Sequence, residues 1–318
     1  METVIGVDVG GTKVAAAVVG GGALAARVEH PTELGDGAAL LDGIAAVVAE
    51  VEQGTARAAV VGVGLPSQID FSSGTVVASA NIPLQGVPVR EELQRRLGRP
   101  VFVDNDANCA ALAEAGLGGV DDLVMLTLGT GVGGGVVIDG QIFRGSSGLG
   151  AELGHIVIER DGPECPGACP SRGCLEAFCS GTALARDALA YAEAHPDSQL
   201  GRELAQEGRV SGRVATEAAQ DGDPDALALL QQLGVSLGVG MAGLINIFEP
   251  QRLVIGGGLS AAGDLFMPQA ISEAESRALP ALYERVTIGL ARGGADAGII
   301  GAGTLAAHEF QRSNRGEG

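Results

Sequence analysis

The sequence contains no tryptophan, only 3% aromatic residues, and a single lysine, Lys13, among its 20 basic side chains. A core without large rings must be built from Val, Leu, Ile and Ala, and the 46% of hydrophobic residues excludes a disordered chain. The net charge of −19 argues against a nucleic-acid-binding surface, because neutralising phosphates takes clustered Lys and Arg. ATP is not excluded, since backbone N–H groups and Mg²⁺ can supply local positive potential.

Long apolar runs and a leader segment are also lacking. The most apolar early stretch, Val14 to Ala26, is short and contains Gly20, Gly21 and Gly22, so it is not a membrane span. Met1 leads almost directly into an apolar segment, with no basic region or cleavage site before it. We therefore expect a cytosolic protein, and its 318 residues suit two domains or lobes.

Glycine, by contrast, is abundant at 52 residues, and three glycine-rich turns each follow a predicted strand. The turns are Gly10-Gly11-Thr12-Lys13 after the strand 4–9, Gly129–Gly135 after 123–128, and Gly256–Gly258 after 253–255. The first two share a strand–turn–strand layout, which indicates a duplicated fold with two lobes. Glycine lets N–H donors approach phosphate oxygens closely, so the three turns together favour phosphate binding, whereas any one alone could be a tight hairpin turn.

Two common nucleotide motifs do not fit these turns. Gly129–Gly134 superficially resembles a dinucleotide fingerprint, but Val136-Val137-Ile138 predicts a strand where that fingerprint requires a helix. A P-loop is excluded because no Gly-Lys-Ser/Thr sequence occurs. Asp8 lies inside the apolar strand before the first turn, where a carboxylate needs a partner. Mg²⁺ or its water shell is one candidate, and Lys13 across the hairpin is the other.

Polar residues cluster at a predicted strand-to-helix junction, between the strand 100–103 and the helix 107–115, which Gly116 is expected to close. Ligands of open α/β sheets bind at the carboxyl ends of strands, so these side chains can converge on a polyol. Phosphoryl transfer to a hydroxyl also needs a base at the nucleophile. The residues alone favour a simpler role for Asp106 as the cap of the following helix, and the two roles are compatible.

Three of the five cysteines, Cys165, Cys169 and Cys174, fall close together, and His155 precedes them. In a cytosolic chain such a cluster indicates a metal more than disulfides. One His and three Cys form a normal structural zinc set, which leaves no open position for catalysis. The remaining alternative is a group of reduced, unliganded thiols.

These segments resemble the ROK family (repressors, open reading frames, kinases) over nearly the whole chain. Asp8–Lys13 is similar to the family's D-x-G-G-T-K phosphate motif, and Gly129–Gly135 to its second phosphate segment. Asn105–Glu114 is similar to N-D-A-N-x-A-A-x-x-E, and Gly150–His155 to G-x-E-x-G-H. The resemblance implies an α/β, two-lobed actin-like (ribonuclease-H-like, duplicated) sugar kinase fold, with ATP and the active site in the interlobe cleft.

The resemblance also implies how the chain is divided. We expect an N-terminal lobe over 1–115, onto which a C-terminal helix around 300–311 packs back, and a C-terminal lobe over 116–299 with a zinc-binding loop at about 155–174. The family's zinc segment reads H-x₉-C-x-C-x₄-C, whereas the middle spacing here is C-x₃-C. A turn can absorb the two extra residues, so we expect structural Zn²⁺ at His155, Cys165, Cys169 and Cys174.

By the same resemblance, Asp106 is the catalytic base. The implied sugar ligands are Asn81, Asn105, Asp106, Glu152, His155 and Glu176. The implied ligands of ATP and its Mg²⁺ are Asp8, Gly10, Gly11, Thr12, Lys13, Thr130, Gly131, Val132, Gly133, Gly134, Gly257 and Gly258. One segment departs from the family: Pro66-Ser67-Gln68 stands where Pro-Gly is usual, so the backbone approach to the sugar is expected to differ.

The activity implied is ATP-dependent phosphorylation of glucose to glucose 6-phosphate, since Leu175–Leu184 resembles the glucose-specific form of this segment. Kinases for N-acetylglucosamine, N-acetylmannosamine or fructose share most of these motifs, and polyphosphate is a possible donor. A sugar-responsive transcriptional regulator is a further alternative, although such proteins carry an N-terminal helix-turn-helix domain and the first phosphate strand here starts at residue 4. We expect a homodimer or homotetramer with no nucleic-acid or membrane partner.

Overall fold

The computed structural model of the protein describes residues 3–20, 23–167 and 169–315. Gly21 and Gly22, which belong to the early apolar stretch, lie outside the described residues. The strands are β1 (Val4–Val9), β2 (Lys13–Gly20), β3 (Ala23–Pro31), β4 (Val60–Leu65), β5 (Gln68–Asp70), β6 (Thr75–Ala78), β7 (Val101–Asn105), β8 (Leu123–Leu128), β9 (Val132–Ile138), β10 (Gln141–Ile142), β11 (Arg252–Gly256) and β12 (Thr287–Leu290).

Helices occupy most of the remaining described chain. They are α1 (Gly37–Gln53), α2 (Val89–Leu97), α3 (Asp106–Gly118), α4 (Glu176–Cys179), α5 (Gly181–Ala194), α6 (Gln199–Glu207), α7 (Gly212–Gln220), α8 (Pro224–Phe248), α9 (Met267–Arg277), α10 (Pro280–Tyr283) and α11 (Ala297–Arg315). Three short 3₁₀ segments cover Leu153–His155, Gly258–Leu265 and Gly294–Asp296.

The chain forms two compact units. The first consists of Met1–Leu123, Gly135–Ala151 and Arg292–Gly318, and the second of Val124–Gly134 and Glu152–Ala291. The predicted lobes at 1–115 and 116–299 have different bounds, because the chain re-enters the first unit at Gly135 and again at Arg292. Helix α11, which contains the predicted helix around 300–311, belongs to the first unit.

The first unit is built on a sheet with the strand order β3-β2-β1-β4-β7. The predicted hairpin is confirmed, since β1 is antiparallel to β2, while β4 pairs with β1 and β7 in parallel. Side chains alternate along β1: Ile5 and Val7 are fully buried in the main core with Ile44 and Val48 of α1. The opposite face of β1 packs against α11, and it carries Asp8.

Two helix ends differ from the predictions. Helix α3 continues through Gly116 to Gly118, and Gly119 closes it in the left-handed conformation, with its N–H donating to the carbonyl oxygens of Ala115 and Gly116. A glycine inside a helix costs only about 1 kcal/mol, so the first glycine after an apolar run need not end it. Helix α11 extends to Arg315, beyond the predicted end around 311, and Arg312 donates a hydrogen bond to Gln141 of the same unit at 3.2 Å.

The second five-stranded sheet has the order β10-β9-β8-β11-β12, and its parallel pair, β11 and β12, lies in the second unit. Helices α5 through α8 fill most of the stretch 183–246, with a break around Pro196. Among the described residues, α8 is the one helix long and apolar enough to span a membrane. Its apolar window is 56% buried and it packs against α9, as a core helix does.

Candidate functional site

The first glycine turn joins β1 to β2 and is exposed from Gly11 to Lys13. The N–H of Gly10 donates to the carbonyl oxygen of Lys13 at 2.8 Å, and the Thr32 hydroxyl donates to that of Gly10 at 2.7 Å. Lys13 forms its ion pair with Glu29 of β3, at 3.1 Å. Lys13 therefore does not form an ion pair with Asp8, and that alternative is wrong.

Asp8 projects from β1 toward the first turn of α11. Burial raises the pKa of its carboxyl group, and the positive charge of Lys13 partly opposes this effect. Gly298 leaves the space that Asp8 occupies, since a methyl group there would lie only 2.5 Å from Cγ of the aspartate. Asp8 is thus held in a tight, partly desolvated position where a cation would be a favourable partner.

Asn105, rather than Asp106, caps helix α3. The Asn105 backbone is extended, and its side-chain oxygen accepts the N–H groups of Ala107 at 2.9 Å and Asn108 at 3.2 Å. The interpretation of Asp106 as the cap is corrected accordingly: Asp106 is the first helical residue, although its carboxylate also accepts the N–H of Ala107 at 2.8 Å.

The carboxyl group of Asp106 holds its proton more tightly than an ordinary aspartate does. Burial raises the pKa of its carboxyl group from 3.8 to about 6, and the negative charge of Asp8 adds to the rise. At neutral pH the group is still mostly ionised, and it is a stronger base than an ordinary aspartate. This is the property that a general base acting on a hydroxyl requires.

A buried ion-pair network next to Asp106 was missed by the sequence reasoning. Asp104, only 3% exposed, accepts the Nε–H of Arg144 at 2.6 Å, and Arg144 also pairs with Glu309 at 3.2 Å. Asp104 stands in the polar cluster, but nothing in the pattern of the sequence links it to residues 40 and 205 positions away. Glu114, fully buried on α3, was also missed as a contact residue: it accepts the N–H groups of Arg292 and Gly293.

The Asn105 side chain also reaches the segment that departs from the family pattern. Its Nδ2–H donates to the carbonyl oxygen of Ser67 at 3.3 Å, and the buried Ser67 hydroxyl donates to that of Ser79 at 2.9 Å. Ser67 thus helps to orient Asn105. Asn81 lies in the loop between β6 and α2 and is exposed.

The second glycine turn lies in the second unit, between β8 and β9. It is fastened to the start of α5: the N–H of Gly181 donates to the carbonyl oxygen of Gly129 at 2.7 Å, and the Thr182 hydroxyl to that of Thr130 at 2.8 Å. Gly133 and Gly134 follow on β9 and are partly exposed. The turn is therefore fixed at its start while its backbone stays open to a ligand.

Glu176 holds the other end of this turn. Its Oε2 accepts the N–H of Val132 at 2.8 Å, and a methyl group on Gly131 would lie 2.4 Å from the same oxygen. Its Oε1 lies 3.3 Å from Sγ of Cys165. Both carboxylate oxygens thus have protein contacts, and the sugar-binding role of Glu176 stays a prediction.

The third glycine turn follows β11 in the second unit. Gly257 and Gly258 are both exposed, and Gly258 begins a 3₁₀ segment. The carbonyl oxygen of Gly257 accepts the hydroxyl of Ser260 at 2.7 Å. All three predicted turns therefore follow strands of the two large sheets, as the sequence indicated.

The histidine and the three cysteines come together in the second unit. One ligand atom from each of His155, Cys165, Cys169 and Cys174 lies within 4.8 Å of the other three. Sulfur atoms bound to one tetrahedral Zn²⁺ at about 2.3 Å are about 3.8 Å apart, so the cluster fits a four-coordinate ion. Ala168, within the unusual C-x₃-C spacing, lies outside the described residues.

Neighbouring elements fix this cluster. Cys174 is fully buried and pairs with Val157 in an isolated bridge, and the N–H of Cys165 donates to the carbonyl oxygen of Ser171 at 3.2 Å. Burial raises the pKa of the Cys165 thiol, which favours its protonated form in the absence of a cation. A bound Zn²⁺ reverses that preference because it binds the thiolate. His155 is the last residue of the 3₁₀ segment, and the exposed Glu152 directly precedes that segment.

The strand orders and site segments define an α/β protein of the actin-like sugar kinase class. The chain belongs to the ROK family, which matches residues 4–309. It is 37% identical over 310 residues to the glucokinase of Thermotoga maritima, with 95% of this chain and 96% of that one covered. The fold class and the family predicted from the sequence are both confirmed.

Two solved structures are similar over nearly the full length. The ROK hexokinase from Thermus thermophilus has a TM-score of 0.82 and 34% identity, covering 97% of this chain and 99% of that one. The ROK family glucokinase from Streptomyces griseus, in complex with glucose and AMPPNP, has a TM-score of 0.79 and 35% identity, covering 96% and 99%.

Proposed function

We propose that this chain transfers the terminal phosphoryl group of ATP to glucose and forms glucose 6-phosphate. The full-length likeness to the Streptomyces griseus glucokinase, whose structure contains glucose and an ATP analogue, carries this proposal. The likeness to the Thermotoga maritima glucokinase supports it independently. The partly buried Asp106, with its pKa raised to about 6, supplies a suitable base.

In the proposed reaction Asp106 removes the proton of the 6-hydroxyl group as that oxygen attacks the γ-phosphate. Asn105 provides the cap of α3, while Oδ1 of Asp106 accepts the N–H of Ala107, so capping and catalysis are compatible in this segment. Asn81, Glu152, His155 and Glu176 join Asn105 in binding the sugar. Carboxylates and amides suit this task, since each can bridge hydroxyl groups with fixed geometry.

The glycine turns are proposed to bind ATP. Backbone N–H groups of Gly11 and Thr12, together with the partly exposed turn Thr130–Gly134, donate to phosphate oxygens. Gly10 and Val132 contribute to the shape of the two turns, since their N–H groups already bond Lys13 and Glu176. Lys13 adds positive charge, and Gly257 with Gly258 lies beside the adenosine. Asp8 would orient the Mg²⁺ that accompanies ATP and neutralises charge on the phosphates.

We propose structural Zn²⁺ at His155, Cys165, Cys169 and Cys174, because the four ligand atoms already lie within 4.8 Å of one another. The ion would supply no step of the reaction, since four protein ligands leave no open position. It would fix the loop that carries His155 and adjoins Glu176. Through Glu176 that order extends to the N–H of Val132 in the second glycine turn.

The protein is further proposed to act in the cytosol as a homodimer or homotetramer. A coupled ADP-release assay over glucose, N-acetylglucosamine, N-acetylmannosamine and fructose tests its specificity, with ATP and polyphosphate as alternative donors. We expect the highest kcat/KM with glucose and ATP. Turnover of no hexose would refute the kinase proposal, and a clear preference for another sugar would refute the assignment of glucose alone.

A further inference from the structure

Arg144 is a nearly buried arginine in the loop after β10, and its side chain is only 13% exposed. Its guanidinium group lies 3.6 Å from the centre of the Phe71 ring, which covers one face of the planar cation. A cation that is shielded in this way is costly unless anions surround it. The contacts of Arg144 should therefore show what it is there to hold.

Two carboxylates from different segments bind Arg144. Its Nε–H donates to Oδ2 of Asp104 at 2.6 Å, and an Nη2–H donates to Oε1 of Glu309 on α11 at 3.2 Å. Asp104 and Glu309 are themselves only 4% and 15% exposed, so the three groups form a desolvated triad. The planar guanidinium group, with its N–H donors in fixed directions, orients both carboxylates and stabilises their ionised form.

The other oxygen of Asp104 acts on the segment that carries the proposed base. Oδ1 accepts the backbone N–H of Asn105 at 2.8 Å and the side-chain Nδ2–H of the buried Asn108 at 2.9 Å. These two bonds hold the residue before Asp106 and the first turn of α3 after it. The orientation of the Asp104 carboxylate thus determines where the Asp106 backbone lies.

We propose that Arg144 is a positioning residue for Asp106, acting through the Asp104 carboxylate. The proposal rests on the proposed function, because Asp106 is a base only if the chain is a kinase. Removing the cation takes the ion-pair partner from the buried Asp104 carboxylate and leaves Glu309 with its longer contact to Arg312 at 3.9 Å. A buried charge that loses its partner turns toward water or takes up a proton. In either case Asp104 loses the orientation that receives the N–H of Asn105. A displacement of about 1 Å at a reacting group can lower a rate by 10²-fold.

The first experiment compares Arg144→Met with the wild-type protein and with Arg96→Met. Methionine keeps the apolar bulk against Phe71 but removes the charge. Arg96 is a matched control because its side chain is 15% exposed and pairs with two carboxylates of the same unit, Asp42 and Glu92, but not with Asp104 or Glu309. We expect kcat for glucose to fall by about 10- to 100-fold in Arg144→Met, with the KM for ATP within about twofold of wild type. We expect Arg96→Met to keep wild-type kcat.

A second variant separates positioning from a general loss of structure. In Asp104→Asn/Arg144→Met both charges are absent, and the amide oxygen of Asn can still accept the N–H of Asn105. We expect kcat of this double variant to be about tenfold higher than that of Arg144→Met. A double-mutant cycle measures this coupling directly. Arg144→Lys, which keeps the charge and loses the fork, should lie between the single variant and wild type.

Hydrogen exchange of peptides covering residues 101–112 gives a readout that does not depend on turnover. We expect faster exchange at Asn105 and Asn108 in Arg144→Met and restored protection in the double variant, while the rest of the unit is unchanged. Wild-type kcat in a folded Arg144→Met protein, or a double variant no better than the single one, would overturn the proposal. If the wild type phosphorylates no hexose, the proposed function fails, whereas the exchange experiment still tests the network.

Discussion

Two regions of this molecule hold functional groups in place by different means. In the first unit, the segment around Asp106 is fixed entirely by protein groups: Asn105 caps the helix, and the Asp104 carboxylate is bound to Arg144. In the second unit, four metal-binding side chains meet within 4.8 Å, and three of them, His155, Cys165 and Cys169, are half-buried. In the first region the charged groups have protein partners, whereas the side chains of the second region need a bound cation.

The difference shows in how each region depends on charge. Arg144 pairs with both Asp104 and Glu309, and Glu309 also contacts Arg312, so this network should be ordered whether or not ligands are bound. Thiolates gathered around one point repel each other, and burial raises the pKa of the Cys165 thiol. The loop 155–174 should therefore be ordered by metal, and the segment 104–108 by the fold.

Substituting the proposed base should have the largest effect. Asp106→Asn keeps the size of the side chain but cannot accept a proton, so we expect kcat to fall by about 10²- to 10⁴-fold. The thermal stability should change little, because Asn105 provides the cap. Asp139→Asn, at an exposed carboxylate of the same unit, is the control. Near wild-type turnover in Asp106→Asn would remove it from this role.

Loss of metal should affect the second unit more than the first. Cys174→Ser removes a buried ligand, and we expect the bound zinc to fall from one per chain to near zero and Tm to drop by roughly 5 °C or more. Cys179→Ala, a buried cysteine outside the cluster, should keep its zinc. Metal analysis and a melting curve measure both. Less than about half a zinc per chain in the wild type contradicts the site.

Filling the space next to Asp8 should disturb the proposed magnesium site. A methyl group at Gly298 would lie 2.5 Å from Cγ of Asp8, so Gly298→Ala must displace the carboxylate. We expect kcat/KM for MgATP to fall by roughly tenfold, with a rise in the Mg²⁺ concentration needed for half-maximal rate. Gly243→Ala on α8 is the matched control, because its added methyl group would meet no atom within 4 Å. Equal effects in both variants would count against a role for the space at Asp8.

The pH dependence of the rate reports on Asp106 itself. Its pKa is raised to about 6 in the ligand-free protein, and only the ionised form acts as a base, so kcat/KM for glucose should be half-maximal near pH 6. Below that pH the rate should fall about tenfold per unit, because the carboxylate takes up a proton. The rate of the residual activity in Asp106→Asn should lack this acidic limb. A wild-type profile that stays flat down to pH 4.5 contradicts the assignment.

The sequence was informative where a local pattern determines the structure. The hairpin formed by β1 and β2 and the strand β8 follow from apolar runs next to glycine turns, and they lie where predicted. The cluster of one His and three Cys could also be predicted, because its ligands are close in the chain. Strand β3 was missed, since its mixed, partly exposed residues carry no clear period.

Contacts between distant segments could not be predicted. The capping residue is Asn105 and not Asp106, a one-residue difference that depends on the exact end of β7. The bond from Arg144 to Asp104 joins residues 40 positions apart, and no local pattern of residues in the sequence indicates such a contact. The contact between Gly298 and Asp8 could not be predicted either, because a glycine is needed there only on account of the Asp8 carboxylate that packs against it.

The central claim is that this chain transfers a phosphoryl group from ATP to the 6-hydroxyl of glucose. The most direct measurement supplies purified protein with glucose and MgATP and quantifies ADP and glucose 6-phosphate separately, the latter by oxidation with a 6-phosphate-specific dehydrogenase. We predict one glucose 6-phosphate for each ADP, and both products formed about 10²- to 10⁴-fold more slowly with Asp106→Asn. ADP formed without glucose 6-phosphate, or no ADP with any concentration of glucose, would contradict the claim.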